Sequence, residues 1–360
     1  MPKTVIENVL SINFVLVAAA VASTGLGELV FLLPEGTTPD ADGVILVTSA
    51  ADVDAQVAAN TITSDGGDFV KLAFSQNYRP SQVYISTFAA AQTEADALDQ
   101  IIAASIDIGV FVPLTRGSSQ LSTLGTWLSV GDRALKYLMI AETTNTDVMT
   151  AGKPSTLSDI ELDGVRLHYG GADPGVAAAF AGNFHAKGLI SGPAAARAQL
   201  RSVLPPVATS SQIANILAND VGILLPLDEG SGSNTYLTDG VDSYSGQSFK
   251  AQVTLLYTVR RILGGITALI NRKAVAAEPL EATATGEGEV KSAIDEQLSA
   301  LAAVGHYAPG VSGSAPNEIV LADGYQTTVT SSGGTITADV LIRIGQEVHS
   351  IVVNGIGEVV

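Results

Sequence analysis

The chain contains no cysteine, and that one absence removes disulfides, thiolate zinc sites, iron–sulfur clusters and cysteine nucleophiles together. Basic residues are also scarce. Eighteen Lys and Arg stand against 36 Asp and Glu, a formal charge of −18 at pH 7, so Coulomb repulsion opposes binding to a phosphate backbone or an anionic headgroup layer. No stretch reaches the roughly 18 unbroken apolar residues that a bilayer core demands of a helix. Neither direct nucleic-acid binding nor direct membrane insertion is expected. Charged residues make up 15% of the chain and apolar ones 46%, with a mean hydropathy of +0.33. Such a chain is too apolar for disorder, and part of its apolar surface should meet other subunits. At 360 residues it is long for one core, so two or more packed units are expected.

Catalytic and cofactor motifs are missing too. His168, His185, His306 and His349 are scattered, and no His-Glu-x-x-His occurs, so no metal centre is expected. His185 reads as a helix-surface residue and His349 as a strand-face residue. Gly286-Glu287-Gly288 lacks the third glycine of a dinucleotide loop and follows an acidic linker that would repel a pyrophosphate. Gly310-Val311-Ser312-Gly313-Ser314 departs from a nucleophile elbow at its last position and reads as a loop. Asp40-Ala41-Asp42-Gly43 opens like a calcium loop but has no glutamate at the twelfth position, and reads as a turn. No catalytic, cofactor-binding or metal-binding residue is assigned, and the chain is not expected to be an enzyme.

What is present is a segment order. Phe14 to Ser23, after Lys3, is an apolar run ending in Ala20-Val21-Ala22, as in a signal peptide. Glu7 cancels Lys3, however, so the segment reads as part of the fold. Ile6, Leu10, Ile12, Phe14 and Leu16 share one parity opposite Glu7, Ser11 and Asn13, which predicts a strand over 4–18 with one apolar face and no nearby hairpin partner. From 28 to 141, apolar Val- and Ile-rich runs (Leu29–Leu33, Val44–Val47, Gln82–Ile85, Gly109–Val112, Tyr137–Ile140) alternate with helical ones (Asp52–Asn60, Glu94–Ala104, Ser118–Val130). That alternation predicts a buried sheet flanked by helices. The stretch 142–245 is looser, punctuated by Gly and Pro. Ser248–Asn271 then reads as a largely buried helix with two adjoining apolar stripes, Glu289–Val304 as a second helix, and Ala276–Gly288 as an acidic linker between them. Ala338–Ile344 reads as a strand, and the last residues, Ile351-Val352-Val353 and Val359-Val360, are apolar.

One charge feature stands out. Lys250, Arg260, Arg261, Arg272, Lys273 and Lys291 put six of the 18 basic residues into 42 positions. Arg260/Arg261 and Arg272/Lys273 lie about three helical turns apart, so part of each pair can share a face. Such a face suits an acidic partner, where complementarity sets register and steers assembly.

In this order the segments resemble the tail sheath proteins of contractile bacteriophages. The residues that carry the likeness are Ile12-Asn13-Phe14, the turn Thr24-Gly25-Leu26-Gly27, Phe69–Phe74 before Tyr78-Arg79-Pro80-Ser81-Gln82-Val83-Tyr84-Ile85, Trp127, the helix from Ser248 with Arg260 inside it, and the end segments Asp339–Ile344 and Ile351-Val352-Val353-Asn354-Gly355. The turn departs from the commoner Gly-Phe-Gly form, and the likeness is weakest over 145–245. The resemblance implies an α/β (α+β overall) fold. An N-terminal arm would occupy 1–20, an outer α/β domain 21–245 with an insert at about 145–245, an inner domain of two long helices and a small sheet 246–345, and a C-terminal arm 346–360.

It further implies a structural homo-oligomer stacked as sixfold rings around an inner tail tube, partnered by baseplate and tail terminator proteins. Its place would be the virion tail, assembled in the host cytoplasm. Contraction by rigid-body rotation would drive the tube through the host envelope without a cofactor. Ile6, Leu10, Ile12, Phe14, Leu16, Val348, Ile351, Val352 and Val353 would form inter-subunit arms added as strands to neighbours. Residues 4–17, fully extended, reach about 46 Å at about 3.3 Å each. Lys250, Arg260, Arg261, Arg272 and Lys273 would face the tube. The alternative is a secreted, self-assembling surface or adhesin protein, which predicts a mature chain beginning near Ser23.

Overall fold

A computed structural model describes residues 9–15, 27–40, 42–130, 133, 136–152, 164–187, 199–226, 235–238, 249–278, 280–312, 319–332 and 335–344. The larger unit is a nine-stranded sheet. Its strands in chain order are β2 (Glu28–Pro34), β3 (Val44–Val47), β4 (Val83–Phe88), β5 (Ile108–Pro113), β6 (Leu138–Thr143), β7 (Val165–Tyr169), β8 (Gln199–Leu200), β9 (Gly222–Pro226) and β10 (Thr235–Thr238), and their spatial order is β3-β4-β2-β5-β6-β7-β9-β10-β8. Pairing is parallel from β4 through β9 and antiparallel for β3, β10 and β8.

The central strands are apolar on both faces because both faces are covered. Leu29, Phe31 and Leu33 of β2 pack with Phe69, Val70 and Ala73 of α2 (Ser64–Phe74) and Ala177 and Phe180 of α5 (Val176–Lys187). Val30 and Leu32 point the other way, into Leu98 and Ile101 of α3 (Glu94–Ala103), Leu121 and Leu124 of α4 (Ser118–Ser129) and Ile216 of α6 (Ser210–Ala218). The predicted strand–helix alternation over 28–141 is present, with α1 at Ala50–Ala58. Helix α2 went unassigned in the sequence. Four segments of the stretch expected as an insert, β7 to β10, extend the same sheet.

The smaller unit is built on α7 (Phe249–Val275) and α8 (Ala284–Ala303), backed by an antiparallel sheet β1-β14-β13. The strands are β1 (Val9–Val15), β13 (Tyr325–Ser332) and β14 (Thr335–Arg343). Val259, Ile262, Ile266 and Leu269 of α7 meet Val290, Ile294, Leu298 and Leu301 of α8 and Ala338, Val340 and Ile342 of β14. Two turns earlier, Val253 and Leu256 are buried in the core of the large sheet, so α7 belongs to both cores. By length and composition Val253–Val275 could cross a bilayer, yet 56% of that window is buried inside the protein; it is a core helix.

Two sequence expectations change here. Helix α8 starts at Ala284, five residues ahead of the expected Glu289: the Thr283 side chain accepts from the Gly286 N–H, and Gly286 lies against the Glu281 carbonyl where a Cβ would collide. Its glycines look like linker in the sequence but are what permits this first turn. Gly310–Ser312, expected as loop, is a short strand, β11, paired with β12 (Ile319–Leu321). The turn at Asp40–Gly43 agrees, with Gly43 at φ +64° donating to the Asp40 carbonyl at 3.2 Å.

Candidate assembly surfaces

The five cations expected to face a tube divide by what holds them. Arg260 does not face outward, which corrects that expectation. Its side chain is 6% exposed, and Nη1 donates to both carboxylate oxygens of Asp107 at 2.7 and 2.8 Å. Nη2 bonds the Ile108 carbonyl and reaches that of Lys136 at 3.4 Å. Low dielectric and four oxygen acceptors make this an internal tie. Lys273 is also committed, at 2.6 Å from Glu289 and 3.2 Å from Glu278; Glu289 first and Glu278 second hold its ammonium above the ordinary lysine range. The side chain of Lys250 lies outside the described residues. Arg261 and Arg272 have no ion-pair partner among the described residues, and the half-buried Arg261 has its Nε enclosed without a hydrogen bond.

Positions 261, 265, 268 and 272 form one stripe of α7. Its middle is Gly265 and Ala268, which with Arg272 and with Gly288, Ser292 and Glu296 of α8 line a groove of about 590 Å³. At 1.5 Å rise per residue, Arg261 and Arg272 stand about 16 Å apart along the axis. At Gly265 a Cβ would stand 3.0 Å from the Ala293 carbonyl and from Gln297 Cγ, so this glycine serves the close contact of α7 with α8.

The terminal strand has a partner within the chain. Leu10, Ile12 and Phe14 of β1 lie opposite Ile342, Val340 and Ala338 of β14, so the strand without a nearby hairpin partner pairs more than 300 positions away. Ile6, Leu16, Val348, Ile351, Val352, Val353 and His349 lie outside the described residues. β13 and β1 are the two outer strands of that sheet, and β13 exposes Gln326, Thr328, Thr330 and Ser332 on alternating positions. Polar edge strands resist indiscriminate pairing while keeping main-chain groups available.

The large sheet carries ionisable groups that sequence reasoning missed. At the carboxyl end of β6, Glu142 is fully buried, with Oε1 2.7 Å from Arg116 Nε and its oxygens accepting from the N–H groups of Gly175 and Ala177. Burial pushes its carboxyl up, and Arg116 and the amides pull the other way. His168 on β7 is the parallel-ladder partner of Glu142. It is fully buried with its ring centroid 4.9 Å from that of Phe180, and burial first and Arg166 second hold it well below the ordinary histidine range. The readable signal was a charged or imidazole side chain inside an otherwise apolar strand: Glu142 in Leu138–Thr143, Arg166 and His168 in Val165–Tyr169. His185, expected on a helix surface, is half-buried with Nε2 2.8 Å from the Gly27 carbonyl. No group of residues suited to a metal ion occurs among the described residues.

His168 gives a pH prediction. Its folded pKa is depressed, so below about pH 6.5 the unfolded chain takes up a proton that the folded chain refuses. Stability is present above that pH and is lost as pH falls toward the folded value. Titration of Glu142, raised in the fold, works in the opposite sense. Melting temperatures between pH 7.5 and 5 should fall more steeply for the native chain than for His168→Leu; parallel slopes would remove His168 from the account.

No protein-family model matches the chain, and no curated protein matches it. Solved structures do. A chain of the anti-feeding prophage baseplate, determined with sixfold symmetry, superposes with a TM-score of 0.67 at 14% identity over 100% of this chain and 99% of that one. A chain of the anti-feeding prophage helical sheath in its contracted state gives 0.63 at 14% identity, covering 95% and 96%. A sheath tail protein from Listeria innocua gives 0.55 at 8% identity, covering 90% and 96%. The chain thus shares the fold of these sheath and baseplate chains over 90–100% of its length.

Proposed function

We propose that this chain is a structural subunit of a contractile tail sheath, in a bacteriophage or a phage-like particle. The observation that carries the reading is the likeness to a chain of a contracted helical sheath over 95% of this chain and 96% of that one. The likeness to a baseplate chain over the full length supports a partner at the tail's base. In this reading subunits stack as sixfold rings on an inner tail tube, capped by a terminator protein. In the assembled sheath β1, which pairs within this chain here, would instead be exchanged with a neighbour, and the subunits would rotate as rigid bodies on contraction to drive the tube through the host envelope. Assembly would take place in the host cytoplasm.

Of the five cations, Arg261 and Arg272 are the described side chains without an ion-pair partner among the described residues, and in this reading they meet an acidic tube surface. They are spaced for carboxylates three helical turns apart, or about five residues apart on an extended strand. A −18 chain repels a second acidic surface, so these two charges matter out of proportion to their number. Negative-stain microscopy of the full chain co-expressed with the tube protein of its particle should show hollow striated sheaths. Arg261→Glu/Arg272→Glu should abolish tube decoration while the isolated chain keeps its native melting temperature. Undiminished decoration would remove the tube contact, and planar lattices or thin fibres from the native chain would overturn the sheath reading.

A further inference from the structure

Open parallel sheets bind anionic ligands at the carboxyl ends of their strands, where a helix N-terminus presents free N–H groups and a positive dipole end. The large sheet has such a place. The loop after β7 runs through Gly170, Gly171 and Gly175 into α5, where the N–H groups of Gly175 and Ala177 point at the end of β6. The place is filled from within: the Glu142 carboxylate accepts from Gly175 N at 3.0 and 3.2 Å and from Ala177 N at 3.0 Å.

Arg116, in the loop after β5, completes the enclosure. Its Nε lies 2.7 Å from Glu142 Oε1, while Nη1 donates to the Ala172 carbonyl at 3.0 Å and Nη2 to that of Gly171 at 2.6 Å. At Gly170 a Cβ would sit 2.9 Å from both Arg116 Nη2 and Glu142 Oε1, so glycine is needed for the walls to close.

We propose that Glu142 is a built-in anionic ligand. Its carboxylate takes the position a bound carboxylate or phosphate holds in ligand-binding sheets of this kind, and it clamps the loop after β5, the end of β6 and the loop from β7 to α5 into one rim. The clamp needs a negative charge with two oxygens at that spot, whether or not it is joined to the main chain. An ordinary ion pair between side chains would need only Arg116 and Glu142, and would not respond to a free anion.

The test vacates the spot and refills it. Glu142→Ala removes a CH2 and a carboxylate, and acetate restores the same heavy atoms untethered. At pH 7 the variant should melt well below the native chain in chloride. Acetate at matched ionic strength should raise its midpoint saturably by several degrees and leave the native chain unmoved. Arg116→Ala/Glu142→Ala should lose that response. Equal midpoints for Glu142→Ala and the native chain, equal effects of acetate and chloride, or an acetate response that survives loss of Arg116 would each overturn the proposal. If Glu142→Ala does not accumulate as a folded chain, its refolding yield from urea decides instead: higher in acetate than in chloride supports the clamp, equal yields refute it.

Discussion

Arg260→Ala is expected to cost about 3 kcal/mol, the low end of the range for breaking a buried ion pair by removing one partner. The low end applies because Asp107 is still 37% exposed and can be partly hydrated, whereas the arginine it loses is 6% exposed. Three carbonyl and carboxylate acceptors at the start of β5 lose their donor together. Glu28 N donates to the Asp107 carbonyl at 2.7 Å, so the same spot also fixes the entry to β2. Gly27, at φ +79°, would place a Cβ 2.6 Å from Arg260 Nη1 and 2.7 Å from the Asp107 carbonyl, and Gly27→Val should therefore mimic the arginine loss from the other side. Urea unfolding provides the measurement. Because α7 contributes Val253 and Leu256 to one core and Val259 onward to the other, Arg260→Ala should also separate the two units into successive transitions. A single transition with its midpoint shifted by less than about 1 kcal/mol would refute the tie. Arg261→Ala, one residue on and without an ion-pair partner among the described residues, is the control and should fall within about 0.5 kcal/mol of the native chain.

That contrast shows what the sequence could and could not convey. By helical period the two adjacent arginines differ, because Arg260 stands four residues after Leu256 and three before Leu263, on an apolar stripe, and Arg261 does not. Only the fold brings Asp107, 153 positions away, to one of them. The apolar strands β2 to β6 were legible because burial on both faces leaves continuous Val, Ile and Leu runs. Their helices were legible where a cap and an apolar stripe coincide, as at α3, where Thr93 and Asp96 form a reciprocal cap. β7 to β10 were not, because Arg166 and His168 interrupt the apolar run and turn glycines surround it. Of the assembly surfaces, the stripe ending in Arg272 could be seen in advance; the commitment of Lys273 to Glu278 and Glu289 could not.

Helix α2 was missed for a related reason, and it yields the last prediction. Its sequence contains Gly66-Gly67, which argues against a helix by propensity at about 1 kcal/mol for each glycine. In the fold Gly67 sits where a Cβ would strike Val57 of α1, so the glycine is the condition for the helices to touch. The same device recurs on the other side of α2. Gly182 of α5 lies where a Cβ would be 2.5 Å from Ala73 Cα, 2.6 Å from its carbonyl oxygen and 2.7 Å from its Cβ.

Ala73 is fully buried, and so are Val176 to Ala181 on the preceding turns of α5. The obstacle is therefore backbone between two packed layers, with no flexible side chain to move aside. Propensity alone predicts that Gly182→Ala stabilises the chain by about 1 kcal/mol. Packing predicts the opposite sign: forcing the helices apart costs about 3 kcal/mol, leaving a net loss of about 2 kcal/mol for alanine. For Gly182→Val, which adds a branched side chain at the same contact, the loss should reach about 4 kcal/mol. Denaturant midpoints for the two variants decide between the accounts, because stabilisation by alanine would mean that α2 and α5 do not meet at Gly182.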